Sequence, residues 1–273
     1  FVPVGATLSR IDCIDLSGMP KELAGVEIVA MCDIDNKNGA TNDHAMRDFT
    51  IELPWLGITE CGNSGFRFVR IDVLGDDTDI LLQEVRAAFK RRDIPYLGSF
   101  ECSDKRLMTG AYTVHLNMQQ YLWDGIKRDR LVWTGDINPE IHTVATVFGY
   151  NDVVDKSLDL SKQLFKPNQW MCGLSSYSVW WLISHYDWYI RKYLDEQQTY
   201  IEQLLDVLLS KVNEQGYETL DARFLDWPSS TNEKGIDAGL QAIMAMAMDC
   251  GAKMATLWGN EALAQKCSQT AEK

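Results

Sequence analysis

The sequence predicts a mostly α fold, a helical toroid or bundle that follows a small β segment, and three observations lead there. Beyond Tyr96, apolar residues recur at helical spacing in five successive stretches. The connections between these stretches are short and polar, as packed consecutive helices require. Before Tyr96 the apolar residues instead alternate or form short runs broken by glycine, which is strand behaviour.

Taken in order, residues 1–5 and 26–32 are strand-like apolar runs, and the second leads into the acidic, glycine-bearing loop 33–39. In residues 49–71, Phe49, Ile51 and Leu53 alternate, Gly57, Gly62 and Gly65 punctuate, and Phe66, Phe68 and Ile71 resume, which predicts two or three antiparallel strands. Residues 78–91, with Ile80, Leu81, Val85 and Phe89 after an Asp-rich start, read as a capped helix or as a last strand with a helical linker. Helices are then expected over residues 111–122, 140–148, 175–191, 194–212 and 235–248. The resulting organisation is a strand-rich segment 1–45, terminal strands and linker 46–100, and a helical domain 101–273.

With 273 residues and 46% apolar content, the chain can build a real core. A formal charge of −13 repels phosphate, so nucleic acid and anionic membrane surfaces are excluded as partners, whereas neutral sugars are compatible. The seven cysteines form no Cys-x-x-Cys pair and have no histidine ladder beside them, so reduced, buried thiols are expected and no metal or cofactor is. No apolar run reaches membrane-spanning length and no secretory leader opens the chain. A soluble protein follows, cytoplasmic, or periplasmic or secreted if a signal was removed; a homo-oligomer is compatible with all of this.

The stretch that no packing rule explains is Trp123-Asp124-Gly125-Ile126-Lys127-Arg128-Asp129-Arg130-Leu131-Val132-Trp133-Thr134-Gly135-Asp136. It carries carboxylates, cations and indoles without helical or strand period. Aspartates can serve as proton donor, base or hydroxyl acceptor, cations hold them in place, and tryptophan faces stack on sugar rings. That combination suits a glycoside-cleaving enzyme.

This stretch, together with Ser64-Gly65-Phe66-Arg67, Tyr96-Leu97-Gly98-Ser99-Phe100 and Arg223-Phe224-Leu225-Asp226-Trp227-Pro228, resembles the bacterial α-L-rhamnosidases and rhamnosidase-like glycoside hydrolases over about residues 46–273. The resemblance implies a β-sandwich, here a remnant, followed by part of an (α/α)6 six-hairpin barrel, and an inverting cleavage of terminal α-L-rhamnose from a glycan or glycoside. Lys273 then falls about midway round the barrel. Residues 1–40 separately resemble a fragment of the bacterial glycerate kinases at Cys32-Asp33-Ile34-Asp35-Asn36, without that family's phosphate-binding loop.

An inverting glycosidase needs an acid and a base roughly 6.5–9.5 Å apart. Many rhamnosidases carry the acid as the glutamate of Arg-Asp-Glu-Arg; here the run is Arg128-Asp129-Arg130, so the acid falls to Asp129, although two arginines would lower its pKa. The alternative for Asp129 is a structural ion-pair network. The resemblance further implies that Asp124, Arg128 and Asp136 bind substrate, that Trp133 lines the pocket, and that Asp226 and Trp227 reach it from a distant loop. Against these stand helix capping for the aspartates and core packing for the indoles. The aromatic segment Trp170, Tyr177, Trp180, Trp181, Tyr186, Trp188 and Tyr189 is too wide for one helix face, so some rings must face a cavity or partner. No residue matches the family's base, and Glu233 and Glu261 read as solvated turn residues. A catalytically inactive carbohydrate-binding relative is therefore the alternative function, and a glycerate kinase remnant the second.

Overall fold

Short apolar runs in the N-terminal part pair into a three-stranded antiparallel sheet of order β2-β1-β3, with β1 Val26–Val29, β2 Asp48–Thr50 and β3 Arg70–Val73. Ile28 of β1 stands opposite Phe49 on one side and Ile71 on the other, so both edges of β1 are paired. The strand from the segment 1–45 is thus the middle of a sheet whose outer strands come from residues 46–100. In this computed structural model the described residues are 26–29, 48–50, 69–73, 84–126, 129–188 and 191–273. The loop 33–39, the Ser64-to-Arg67 motif, Arg128 and most of the element expected over 78–91 lie outside them, and residues 84–91 carry no regular structure.

The chain divides into two compact units, Phe1–Lys90 with Gly125–Arg130, and Arg91–Asp124 with Leu131–Lys273. The second is helical: α1 Lys105–Asn117, α2 Ile137–Thr143, α3 Asp152–Leu164, α4 Ser175–Asp187, α5 Arg191–Leu209, α6 Glu233–Leu257 and α7 Glu261–Ala271. Where boundaries differ from expectation, local bonding explains it. α1 stops at Asn117 rather than near 122 because the Asn117 carbonyl accepts the N–H groups of Gln119 and Trp123, which turns the chain and buries Met118 and Leu122. α2 runs into a π-helical turn, Val144–Phe148, that ends at Gly149 in the left-handed region (φ 72°).

Two helices went unpredicted, and both carry signals of their own. Asn151 caps α3 by accepting the Val153 N–H at 3.2 Å, with Asp152 and Asp155 in the first turn. Asn260 caps α7 in the same way through Leu263, directly after Gly259 (φ 74°) closes α6. Glu233 and Glu261, read as turn residues, are the exposed first residues of α6 and α7.

Packing is between alternate helices: α2 lies on α4 and α4 on α6, while α5 and α7 pack against α6. Small residues permit this. A Cβ at Gly251 of α6 would collide with Leu205 of α5. The core centres on Trp181 of α4, fully buried, whose indole N–H donates to the Leu158 carbonyl at 3.0 Å; burying that ring contributes about 3 kcal/mol. His185 lies against it at a tilt of 47°, ring centroids 3.8 Å apart, and donates from Nδ1 to the Trp181 carbonyl at 2.9 Å. Burial pushes its pKa down to about 3, so the imidazole is neutral. His115 clasps the strap before α1: Nε2 donates to the Arg92 carbonyl at 2.7 Å, and Nδ1 accepts from the Tyr96 hydroxyl at 3.1 Å. No helix among the described residues is long and apolar enough to cross a membrane.

Candidate functional site

The loops that lead into α2, α4 and α6 meet, which places the N-terminal ends of these three helices side by side. The loop before α2 is pinched at its base, where the Asp124 N–H donates to the Leu131 carbonyl at 3.1 Å and the Leu131 N–H to Asp124 Oδ1 at 3.0 Å. It then turns through an Asp136 N–H bond to the Trp133 carbonyl at 2.9 Å. Glycine is required at 135, because any Cβ there would collide with the ring of Tyr177 in the first turn of α4. The loop before α4 joins at Cys172, whose Sγ lies 3.9 Å from Thr134 Oγ1 and whose backbone is left-handed (φ 55°) without being glycine. The Ser175 N–H donates to the carbonyl of Ala222 at 3.3 Å, which brings in the loop before α6.

A row of four rings crosses this junction. Trp133 meets Tyr177 edge-on at 6.0 Å, Tyr177 meets Phe224 at 6.3 Å, and Phe224 meets Trp227 at 5.2 Å. The sequence-predicted residues Trp133 and Trp227, far apart in the chain, are thereby joined through two intervening rings. Trp227 is 75% exposed, so it is no core tryptophan. Asp226 beside it caps a turn, not a helix: Oδ1 accepts the Ser229 N–H at 2.8 Å and also the Ser229 hydroxyl, and these bonds hold its pKa below the usual carboxylate range. The helix cap of α6 is Asn232.

Asp136 occupies the N-cap position of α2 without a capping bond from its side chain. One turn on stands Glu140, a half-buried residue that sequence reasoning passed over. Burial first, then the charges of Asp136 and Asp124, push its pKa up to about 8. Glu140 is therefore protonated at neutral pH beside two aspartates, and can donate a proton where they accept hydrogen bonds. The signal that could have found it is local: Pro139 favours a helix start, and a glutamate right after it falls in the first turn, next to the acidic loop.

Asp129, in the first unit, is 2% exposed, and Arg130 after it adopts φ 51°. In the aromatic segment Tyr177, Trp181 and Trp188 are buried, Trp170, Trp180 and Tyr186 are half-buried and Tyr189 lies outside the described residues; the Trp188 indole donates to Asp155 at 2.6 Å. Its members that join the loop junction are Tyr177 and Trp170; the Trp170 indole donates to Asp221, with Lys211 Nζ 5.7 Å from the ring centroid. Among the described residues Cys102, Cys172, Cys250 and Cys267 are free thiols, and no cluster of three or more His, Cys, Asp or Glu could hold a metal ion.

No protein-family model matches the chain, and no curated protein does. Solved structures do. A GH78 family rhamnosidase of Bacillus sp. GL1 aligns with a TM-score of 0.66 at 14% identity, over 92% of this chain and 29% of its own. The α-L-rhamnosidase from Dictyoglumus thermophilum aligns at 0.67 and 17% identity, over 92% and 32%. A rhamnosidase from Klebsiella oxytoca with rhamnose bound aligns at 0.63 and 17% identity, over 93% and 56%. The chain thus shares a mostly helical fold with rhamnosidases and spans between about a third and a half of their length.

Proposed function

We propose that this chain carries part of the (α/α)6 barrel of a rhamnosidase-like glycoside hydrolase and recognises a terminal α-L-rhamnose on a glycan or glycoside. The observation that carries the reading is the ring row from Trp133 to Trp227, which links two acid-bearing loops through Tyr177 and Phe224. The fold shared with rhamnosidases supports it. Aromatic faces take the apolar face of a pyranose, and the carboxylates of Asp124, Asp136 and Asp226 accept its hydroxyls; Asp226 spends Oδ1 on its turn and offers Oδ2. Glu140 gives its proton to the departing oxygen as the glycosidic bond breaks, while water attacks the anomeric carbon from the opposite side and yields its proton to the base an inverting reaction needs there, a carboxylate distinct from Glu140. Arg128 assists in substrate binding. Asp129 as the acid is the second reading, since it stands at the place in the motif where the rhamnosidase resemblance puts the acid.

Hydrolysis of p-nitrophenyl α-L-rhamnopyranoside and of methyl α-L-rhamnopyranoside by the chain and its Glu140→Gln and Asp129→Asn variants decides between them. Nitrophenolate leaves without protonation, whereas methoxide does not. Loss of the acid should lower kcat on the methyl glycoside by about 10²–10⁴ and on the nitrophenyl one far less. That pattern in Glu140→Gln identifies Glu140, and in Asp129→Asn it identifies Asp129. Rhamnose binding without any turnover would make the chain a carbohydrate-binding relative, and neither binding nor turnover would reject the reading.

A further inference from the structure

The loop that presents Trp227 is tied to α6 by a chain of bonds whose strongest member lies outside the ring row. Gln241 of α6 accepts the Glu218 N–H at 2.8 Å and donates to the Gly216 carbonyl at 2.9 Å, which anchors the strap between α5 and α6. The Glu218 side chain is 4% exposed; Oε2 accepts the Leu220 N–H at 2.8 Å and Oε1 pairs with Arg223 Nη2 at 2.8 Å. The same nitrogen reaches Asp237 Oδ1 of α6 at 2.5 Å. On the other side of Phe224, Leu225 seats against α6 where Gly239 leaves room; a Cβ there would collide with it. Phe224 is therefore fixed from both flanks, and its ring meets Tyr177 and Trp227.

We propose that Arg223, clamped between Glu218 and Asp237, is the positioning residue that aims the Phe224–Trp227 platform at the sugar, an inference that rests on the carbohydrate reading above. A carboxylate as buried as Glu218 needs its cation, and the Arg223 guanidinium reaches Glu218 and Asp237 from one nitrogen. Trp227 is too exposed to be held by its own packing. Its orientation is inherited from the clamp through Phe224. Arg223 touches neither the ligand face nor the carboxylates of the acidic loop in this scheme; it acts through the rings.

The test uses the full chain labelled with 5-fluorotryptophan, with the Trp227 resonance assigned from Trp227→Phe and that of the core from Trp181→Phe, and L-rhamnose titrated by calorimetry. In Arg223→Met the Trp227 resonance should shift while that of Trp181 stays, and rhamnose affinity should fall about tenfold. Arg223→Lys, whose ammonium can serve the same two carboxylates, should restore both to within about twofold. If Arg223→Met does not fold, Asp237→Asn at the exposed partner should still move the Trp227 resonance. An unmoved Trp227 resonance in the folded variants, or a lysine variant no better than methionine, overturns the positioning role. A wild-type chain that binds no rhamnose defeats the carbohydrate reading instead, and the fluorine resonances then decide the clamp alone.

Discussion

The two ends of α4 make opposite use of burial. Towards its C-terminus, Trp181 and His185 sit in a core where the imidazole is neutral because water is excluded and its N–H is bonded within its own helix. Towards its N-terminus, Tyr177 backs a loop face where Glu140 is neutral because water is partly excluded and its named neighbours are carboxylates. Both groups lose their charge, but with opposite consequences for stability. The folded pKa of His185 lies below its ordinary 6.5, so between about 6.5 and 3 the unfolded chain takes a proton that the native state refuses, and stability falls as pH falls. The folded pKa of Glu140 lies above its ordinary 4.5, so between 4.5 and about 8 the native state keeps a proton that the unfolded chain releases, and stability falls as pH rises. A core charge suppressed by packing limits acid tolerance; a carboxyl kept neutral by burial beside two aspartates limits alkaline tolerance.

Four substitutions would break or sharpen that contrast. Trp181→Ala empties the core end and should cost about 3–5 kcal/mol in urea unfolding. Glu140→Gln removes the ionisation that opposes folding, so it should stabilise the chain by on the order of 4 kcal/mol at pH 8 and leave it unchanged at pH 4. Equal effects at both values would mean that Glu140 ionises as an ordinary glutamate. Gly135→Ala forces Tyr177 away from the loop; a loss of about 1–3 kcal/mol with an altered near-ultraviolet circular dichroism spectrum is expected. Trp227→Ala should change stability by less than about 0.5 kcal/mol, because the ring is exposed, while abolishing rhamnose binding.

Much of the helical unit was legible because its helices bury one face, and the period of Ile201, Leu204, Leu205 and Leu208 on α5 is a direct record of that face. α3 and α7 escaped the period argument, although their asparagine caps were plain. Of the candidate site, Trp133 and Trp227 could be named because they stand in the two motifs that resemble the rhamnosidases. That they stand in one row depends on Tyr177 and Phe224, which read as ordinary aromatics in the sequence. Glu140 was hidden for a different reason: its raised pKa comes first from burial and then from the charges of Asp136 and Asp124, and a spacing of residues along the chain does not report burial.

The alternate-helix packing also sets an order of assembly. The hairpin of α6 and α7 is made from neighbours in the chain and can form early, whereas the contacts of Gly135 with Tyr177 and of Tyr177 with Phe224 join stretches separated by whole helices. Closing those long loops comes late, after the helices they connect are in place. The ring row is thus expected to form last in the unit and to be lost first, and damage to it should show as faster unfolding at an unchanged folding rate.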